Sequence, residues 1–363
     1  MLISVKALWQ DGRLLHDMAL DVRAGRIDAI RPLGDDTADI EVALASPLLC
    51  DLQVNGSGGV MVNGTPTPDA LRTIAAAQQR CGTGAILPTV ITDTAEVMEA
   101  AGEAALAVFG EDGIVGLHIE GPHIAPARRG THKEDYIRPL DARSVALVER
   151  LRAAGMPVMI TLAPELAPPD LFARLVDCGA VVSAGHTMAT AQETRDALAR
   201  GLSCFTHLFN AMPPMTSRAP GVLGAALNSG AHAGIIVDGI HVSWDMLRIA
   251  LRARPRPGLT FAVSDAMATV GGPDHFEIYG QRIAVHDGML VNAEGALAGA
   301  HIDLRQSLAN LVTEVGLPLA EALPMVCDIP RRLMGLRPAR LDEGSAIADA
   351  LLLDEAFARI ELA

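Results

Sequence analysis

Three side chains of metal-ligand type close three separate apolar runs of this chain: Glu120 ends LHIE, His186 follows VVSAG and His207 follows CFT. Two neutral imidazoles and one carboxylate leave a coordination position for water, the arrangement of a catalytic rather than a structural zinc site. A divalent ion held there lowers the pKa of that water and makes hydrolysis accessible near neutrality. A fourth residue, Asp265 in AVSDAMA, ends another run, where it can accept the water's proton and later deliver it to a departing amine. Each position also has a bland reading. A lone histidine at a strand end is more often a hydrogen-bonded structural residue, and an Asp after a strand is commonly a helix N-cap. Four such residues at four run ends weigh against coincidence.

The elements that must position them follow a repeating pattern. Eight short apolar or β-branched runs (LLCDLQV, GAILPTVIT, GIVGLHIE, PVMITLAPE, AVVSAGH, SCFTHLF, AGIIVDG and LTFAVSD) alternate with helical periodicity. The helical patterns include Pro68 to Arg80, Ala95 to Val108, Ala142 to Ala153, Ala189 to Ala199 and Trp244 to Ala253. Strand then helix, eight times, predicts an α/β fold with a parallel (β/α)8 TIM-type barrel; a doubly wound open sheet is the alternative. Gln53, Glu120, His186, His207, Asp238 and Asp265 then all fall at or just past C-terminal strand ends, the face on which barrel enzymes build active sites.

At 363 residues the chain has room for one barrel of about 250 residues and a small accessory unit. The first forty residues read as short strands broken by DG and AG turns, a small antiparallel sheet, and LDEGSAIADALLLD with FARIEL reads as strands again. The expected organisation is a small β-sandwich formed from 1–46 plus 337–363, flanking a metal-dependent hydrolase barrel over 47–336. A net charge of −14 discourages nucleic-acid binding, so a phosphate ligand would need local positive partners. No apolar run reaches the roughly 20 residues of a membrane span, and the N-terminus lacks the pattern of a secretory signal, so a cytoplasmic protein is expected. Five scattered cysteines without a CxxC pair read as small apolar residues rather than disulfides or thiolate ligands.

Nine segments, DLQVNGSGG (51–59), LHIEGPHI (117–124), RGTH (129–132), TLAPE (161–165), VSAGHT (182–187), THLFNAM (206–212), RAPG (218–221), DGIHV (238–242) and SDAMA (264–268), closely resemble the N-acetylglucosamine-6-phosphate deacetylase family of the amidohydrolase superfamily, in family order. The resemblance implies that Glu120, His186 and His207 hold one divalent metal ion per subunit, Zn2+ first and Fe2+ or another divalent ion second. It implies that Asp265 is the acid/base and that His132 polarises the acetyl carbonyl. Substrate contacts are implied for Thr131, His132, Arg218, His241, the backbone N–H groups of Asn210 and Ala211, and a sugar loop at Leu297, Ala298 and Gly299. A homodimer is implied, with the His of DGIH reaching the partner subunit's site.

Three departures accompany the resemblance. Gln53 and Asn55 stand where many amidohydrolases carry HxH, which argues for one metal rather than two. The stretch GAHIDL, with Ala300, His301 and Asp303, departs from the family's Ser/Thr pattern and leaves gluco against galacto preference open. His123 stands where an aromatic is usual. The expected reaction is deacetylation of N-acetylglucosamine-6-phosphate. The alternatives are another N-acyl substrate, such as N-acetylgalactosamine-6-phosphate, and a catalytically silent phosphosugar-binding protein.

Overall fold

The computed structural model describes residues 1–362. Its N-terminal strands are β1 (Leu2–Gln10), β2 (Arg13–Arg23), β3 (Arg26–Pro32) and β4 (Ile40–Pro47). Asp11–Gly12 and Ala24–Gly25 turn the first two hairpins with all four residues at positive φ, the primed-turn geometry that matches strand twist. The chain continues through β5 (Leu49–Val54), a small hairpin of β6 (Gly56–Ser57) and β7 (Val60–Met61), α1 (Pro68–Arg80), β8 (Thr83–Ile91), α2 (Ala95–Ala107), β9 (Leu117–Glu120), α3 (Ala142–Ala153), β10 (Val158–Leu162), α4 (Pro169–Asp177) and β11 (Val181–Ala184). It then forms α5 (Ala191–Ala199), β12 (Cys204–Phe205), α6 (Gly221–Leu227), β13 (His232–Ile235), α7 (Trp244–Ala253) and β14 (Thr260–Ala262). Four more strands follow, β15 (His275–Ile278), β16 (Gln281–His286), β17 (Met289–Val291) and β18 (Leu297–Ala300). The last elements are α8 (Leu304–Thr313), α9 (Leu319–Val326), α10 (Asp328–Leu333) and β19 (Ala350–Leu353).

Each of the eight apolar runs supplies one barrel strand, in the parallel order β5-β8-β9-β10-β11-β12-β13-β14. The sheet curls until the first strand meets the last: Val54 bridges Ala266, whose carbonyl accepts from the N–H groups of Asn55 (2.9 Å) and Gly56 (3.0 Å). That closure excludes the doubly wound sheet. Helix starts are set by side-chain caps at Thr67, Thr94, Asp141, Thr190 and Ser243, each accepting from the backbone N–H three residues on. Alternation along a strand then decides which residues reach the barrel interior. On β9, His118 and Glu120 share one face. Burial pushes the His118 imidazole down to about 4, so it stays neutral among hydroxyls, 2.8 Å from Thr161 Oγ1, which in turn lies 2.6 Å from Thr206 Oγ1.

The terminal sheet has the order β19-β4-β1-β2-β3 and is built from both ends of the chain. It is mixed rather than antiparallel throughout, because β4 runs parallel to β1 before entering the barrel. FARIEL forms no strand beyond a single Arg359–Leu353 bridge, and residue 363 lies outside the described residues. The Trp9 indole N–H donates to Asp328 Oδ2 (3.0 Å), tying this sheet to α10. All five cysteines are free; Cys50, Cys204 and Cys327 are buried, whereas Cys81 and Cys178 are partly exposed.

Asp51 stitches the barrel seam from inside. Fully buried, it accepts from the N–H of Gln53 (3.1 Å) on its own strand and from that of Ser264 (3.2 Å) past the end of β14. Burial raises its carboxyl to about 7, against the hydrogen bonds that favour the charged form. A carboxyl whose folded pKa exceeds its unfolded one contributes stability that is present below the unfolded value and lost as pH rises through the folded value. Thermal unfolding of Asp51→Asn should therefore gain on the parent as pH goes from 4 to 8, by up to about 4 kcal/mol. A difference that does not move with pH would remove Asp51 as a buried acid.

Candidate metal centre and active site

Glu120, His186 and His207 come from the ends of β9, β11 and β12 and converge into a tight triangle. Glu120 Oε1 is 3.2 Å from His186 Nε2 and 2.9 Å from His207 Nε2, and the two imidazole nitrogens are 3.0 Å apart. All three side chains are at least nine-tenths buried. Four-coordinate ligands at about 2.0–2.1 Å from a zinc ion stand roughly 3.3 Å from one another, close to these spacings. The donor chemistry also fits a cation. His186 Nδ1 lies 2.8 Å from the Arg128 carbonyl, which can only accept, so the His186 proton is on Nδ1 and its Nε2 lone pair faces the triangle. One proton on His207 Nε2 satisfies a single contact, whereas a shared cation satisfies all three. His207 Nδ1 is buried without a partner, and although burial lowers its basicity, Glu120 raises its pKa overall. His132 also approaches, within 4.8 Å of Glu120 and His186, but the tighter set contains His207.

Asp265 stands beside this triangle and is tied to it through amides. Gln53 Nε2 donates to both Glu120 Oε1 (3.1 Å) and Asp265 Oδ1 (3.0 Å), and Asn55 Nδ2 donates to Asp265 Oδ1 (2.7 Å). Desolvation, with the nearby Glu120 charge, raises Asp265 to about 6 despite those donors. The backbone here is held in an uncommon conformation. His186, His207, Ala211 and Asp265 have φ between 27° and 52°, a region that non-glycine residues occupy at a cost and that clusters at functional sites. Asp265 is clamped there on both sides, since Ala266 bridges Val54 on β5 and Ala300 on β18.

One cavity of about 220 Å³ opens over the centre. Its walls include Glu120, His132, His186, His207 and Asp265, and also Thr131, Asn210, Ala211, His241, Leu297 and Gly299. His132 reaches it from a loop after β9, its Nδ1 2.6 Å from Thr92 Oγ1 at the end of β8. Burial, with neighbouring His186, pushes its pKa down to about 3, so it is neutral. His241 lines the pocket of its own chain and is fixed by Asp238, whose Oδ2 lies 2.6 Å from His241 Nδ1. That hydrogen bond holds Asp238 below the usual carboxylate range against the opposing effect of burial.

The structure does not bring every expected residue to the cavity. Arg218 is exposed on the segment 213–220 and is not part of its wall. The Asn210 N–H is already spent on the His207 carbonyl (2.9 Å), leaving Ala211 as the available amide of that pair. The 297–299 stretch is the strand β18 rather than a loop, and Ala298 turns into the apolar cluster of the β15–β18 sheet instead of the pocket. Sequence reading also missed that whole sheet, together with Thr92, Ile91 and Met267 at the site. Its signal was available: Tyr279–Gly280 and Asp287–Gly288 make two-residue turns with both residues at positive φ. His123 lies outside the pocket, its Nδ1 3.1 Å from the Arg138 carbonyl.

No protein-family model matches the chain. An N-acetylgalactosamine-6-phosphate deacetylase of Shewanella sp. (strain ANA-3) is 40% identical over 77% of this chain and 71% of its own length. An N-acetylglucosamine-6-phosphate deacetylase of Haemophilus influenzae is 31% identical over 89% of this chain and 87% of its own. The crystal structure of N-acetylglucosamine-6-phosphate deacetylase from Pasteurella multocida superposes with a TM-score of 0.86 at 31% identity, covering 99% of this chain and 97% of that one. With relatives matched along nearly all of its length and the eight-stranded barrel in common, this chain belongs to the N-acetylglucosamine/N-acetylgalactosamine-6-phosphate deacetylases of the amidohydrolase superfamily.

Proposed function

We propose that this enzyme hydrolyses the acetamide of N-acetylglucosamine-6-phosphate to acetate and glucosamine-6-phosphate, in amino-sugar breakdown. The observation that carries the proposal is the convergence of a Glu120–His186–His207 triangle, Asp265 and neutral His132 on one cavity. Glu120, His186 and His207 would hold one Zn2+ per subunit. Fe2+ or another divalent ion is a substitute, because His and Glu ligands accept several. Bound there, the cation supplies Lewis acidity, lowering the pKa of a coordinated water. Gln53 and Asn55 favour a single ion, since their amides are occupied with Glu120 and Asp265.

Asp265 takes the proton of the attacking water and returns it to the sugar nitrogen as the C–N bond breaks. His132 meets the acetyl oxygen, where negative charge develops, with Nε2–H. That tautomer requires the Thr92 hydroxyl to donate to Nδ1. Thr92→Val should accordingly lower kcat about 10–100-fold with a smaller change in KM; an unchanged kcat would dissociate Thr92 from catalysis. His241 and the Ala211 N–H receive the phosphate, with Thr131, Asn210, Leu297 and Gly299 around the sugar and Ala298 packed behind that wall rather than on it. Arg218 stands outside the cavity, so its contribution requires movement of the 213–220 segment or contact across the homodimer proposed for this enzyme. Arg218→Ala should raise KM for the phosphorylated sugar roughly tenfold or more, the cost of a charge-assisted contact, and an unaltered KM would remove Arg218 from the phosphate site. Residues 1–46 plus 337–363 are proposed as the accessory β-unit on the 47–336 barrel, in a cytoplasmic protein.

A second reading is favoured by one finding: the 40% identity lies with a relative named for the galacto epimer. Acetate release measured side by side from N-acetylglucosamine-6-phosphate, N-acetylgalactosamine-6-phosphate and unphosphorylated N-acetylglucosamine separates the readings. Higher kcat/KM on the gluco phosphate supports the first, and the reverse order replaces it with the second.

A further inference from the structure

At the opposite end of the barrel from this cavity, the last turn of α7 carries Arg252, the connection from α7 to β14 carries Arg254 and Arg256, and α10 adds Arg332. The four arginines line one groove of about 670 Å³, bounded by apolar side chains such as Leu251, Leu317 and Met325 and by a single carboxylate, Glu321. In a chain of net charge −14, none of the four pairs with a carboxylate among the described residues. Their fields overlap: burial, reinforced by Arg332, Arg256 and Arg254, pushes the adjacent His232 down to about 4. The groove also has unspent hydrogen-bonding capacity in its floor. Arg254 is 9% exposed and its two terminal nitrogens donate to the carbonyls of Ala226 and Ala231, but its Nε–H has no partner. Thr260 Oγ1, 6% exposed on the same wall, has none either.

Uncompensated guanidinium groups around a concave, partly apolar wall concentrate anions, and their planar forks match phosphate oxygens. We infer that this groove binds a small organic phosphate carrying at least two negative charges, its oxygens on Arg252, Arg256 and Arg332 and its body against the apolar wall. The site lies at the start of β14, whereas Asp265 lies past that strand's end, so it is separate from the substrate cavity.

Titration calorimetry on the full-length protein tests this with three probes: ATP, inorganic pyrophosphate and adenosine. ATP and pyrophosphate should bind and adenosine should not. The Arg252→Ala/Arg256→Ala double variant alters exposed side chains that make no hydrogen bond or ion pair among the described residues, so it should keep parental acetate release while weakening both anions roughly tenfold or more. His241→Ala should leave their binding unchanged, and the His232 imidazole resonance should move on adding ATP. Absence of heat with either anion at millimolar concentration, adenosine binding as tightly as ATP, or binding lost in His241→Ala but not in the arginine double variant would each overturn the inference.

Discussion

Asp265→Asn is expected to keep its metal and lose its turnover. The carboxylate contributes no atom to the Glu120–His186–His207 triangle, so cation content should stay at the parental level. The amide also retains an oxygen for the Gln53 and Asn55 donors, so the pocket should stay assembled. What disappears is the carboxylate proposed to accept and return the proton, and kcat should fall about 10²–10⁴-fold, the range of general acid–base contributions. In the parent, the carboxyl is raised to about 6 by burial and by Glu120. A base with a raised pKa loses function as pH falls through that value, so kcat/KM should decline with a one-proton slope at or below about pH 6, a bound cation drawing the midpoint lower. Steady-state kinetics across pH, run with metal analysis of both proteins, reads out all three expectations. Full activity in the variant would end Asp265's proposed role.

Removing Glu120 should cost both metal and activity together. Its Oε1 is the one atom in contact with both imidazoles and with Gln53, so Glu120→Ala opens the triangle at its shared corner. Metal per chain should drop to near zero after dialysis. Acetate release should fall by more than the roughly 10–100-fold typical of losing an outer hydrogen-bond partner of a ligand. Retained metal with retained activity would shift the ligand set toward His132, the other imidazole within reach.

Much of this site was legible because barrel geometry converts sequence position into spatial position. Once eight strand runs were recognised, the residue just past each run had to share one rim, and Glu120, His186, His207 and Asp265 do. Positions outside that rule were harder to read. His132 sits on an irregular excursion between β9 and α3, and only the family resemblance singled it out; its anchor Thr92 lies just past the end of β8. The β15–β18 sheet was overlooked because its strands are short and carry mixed burial, although its two turn pairs announce hairpins. The Asn210 amide was singled out for phosphate only by the family resemblance, and the local turn uses that N–H internally. The left-handed φ values at His186, His207 and Asp265 had no sequence signal, since none is glycine.

The measurement closest to the central claim is acetate release from N-acetylglucosamine-6-phosphate by metal-stripped protein titrated with Zn2+. The expected result is negligible release without metal and a linear rise that breaks at one equivalent per chain. Undiminished release from the stripped protein, or a break at two equivalents, would contradict a single catalytic ion held by Glu120, His186 and His207.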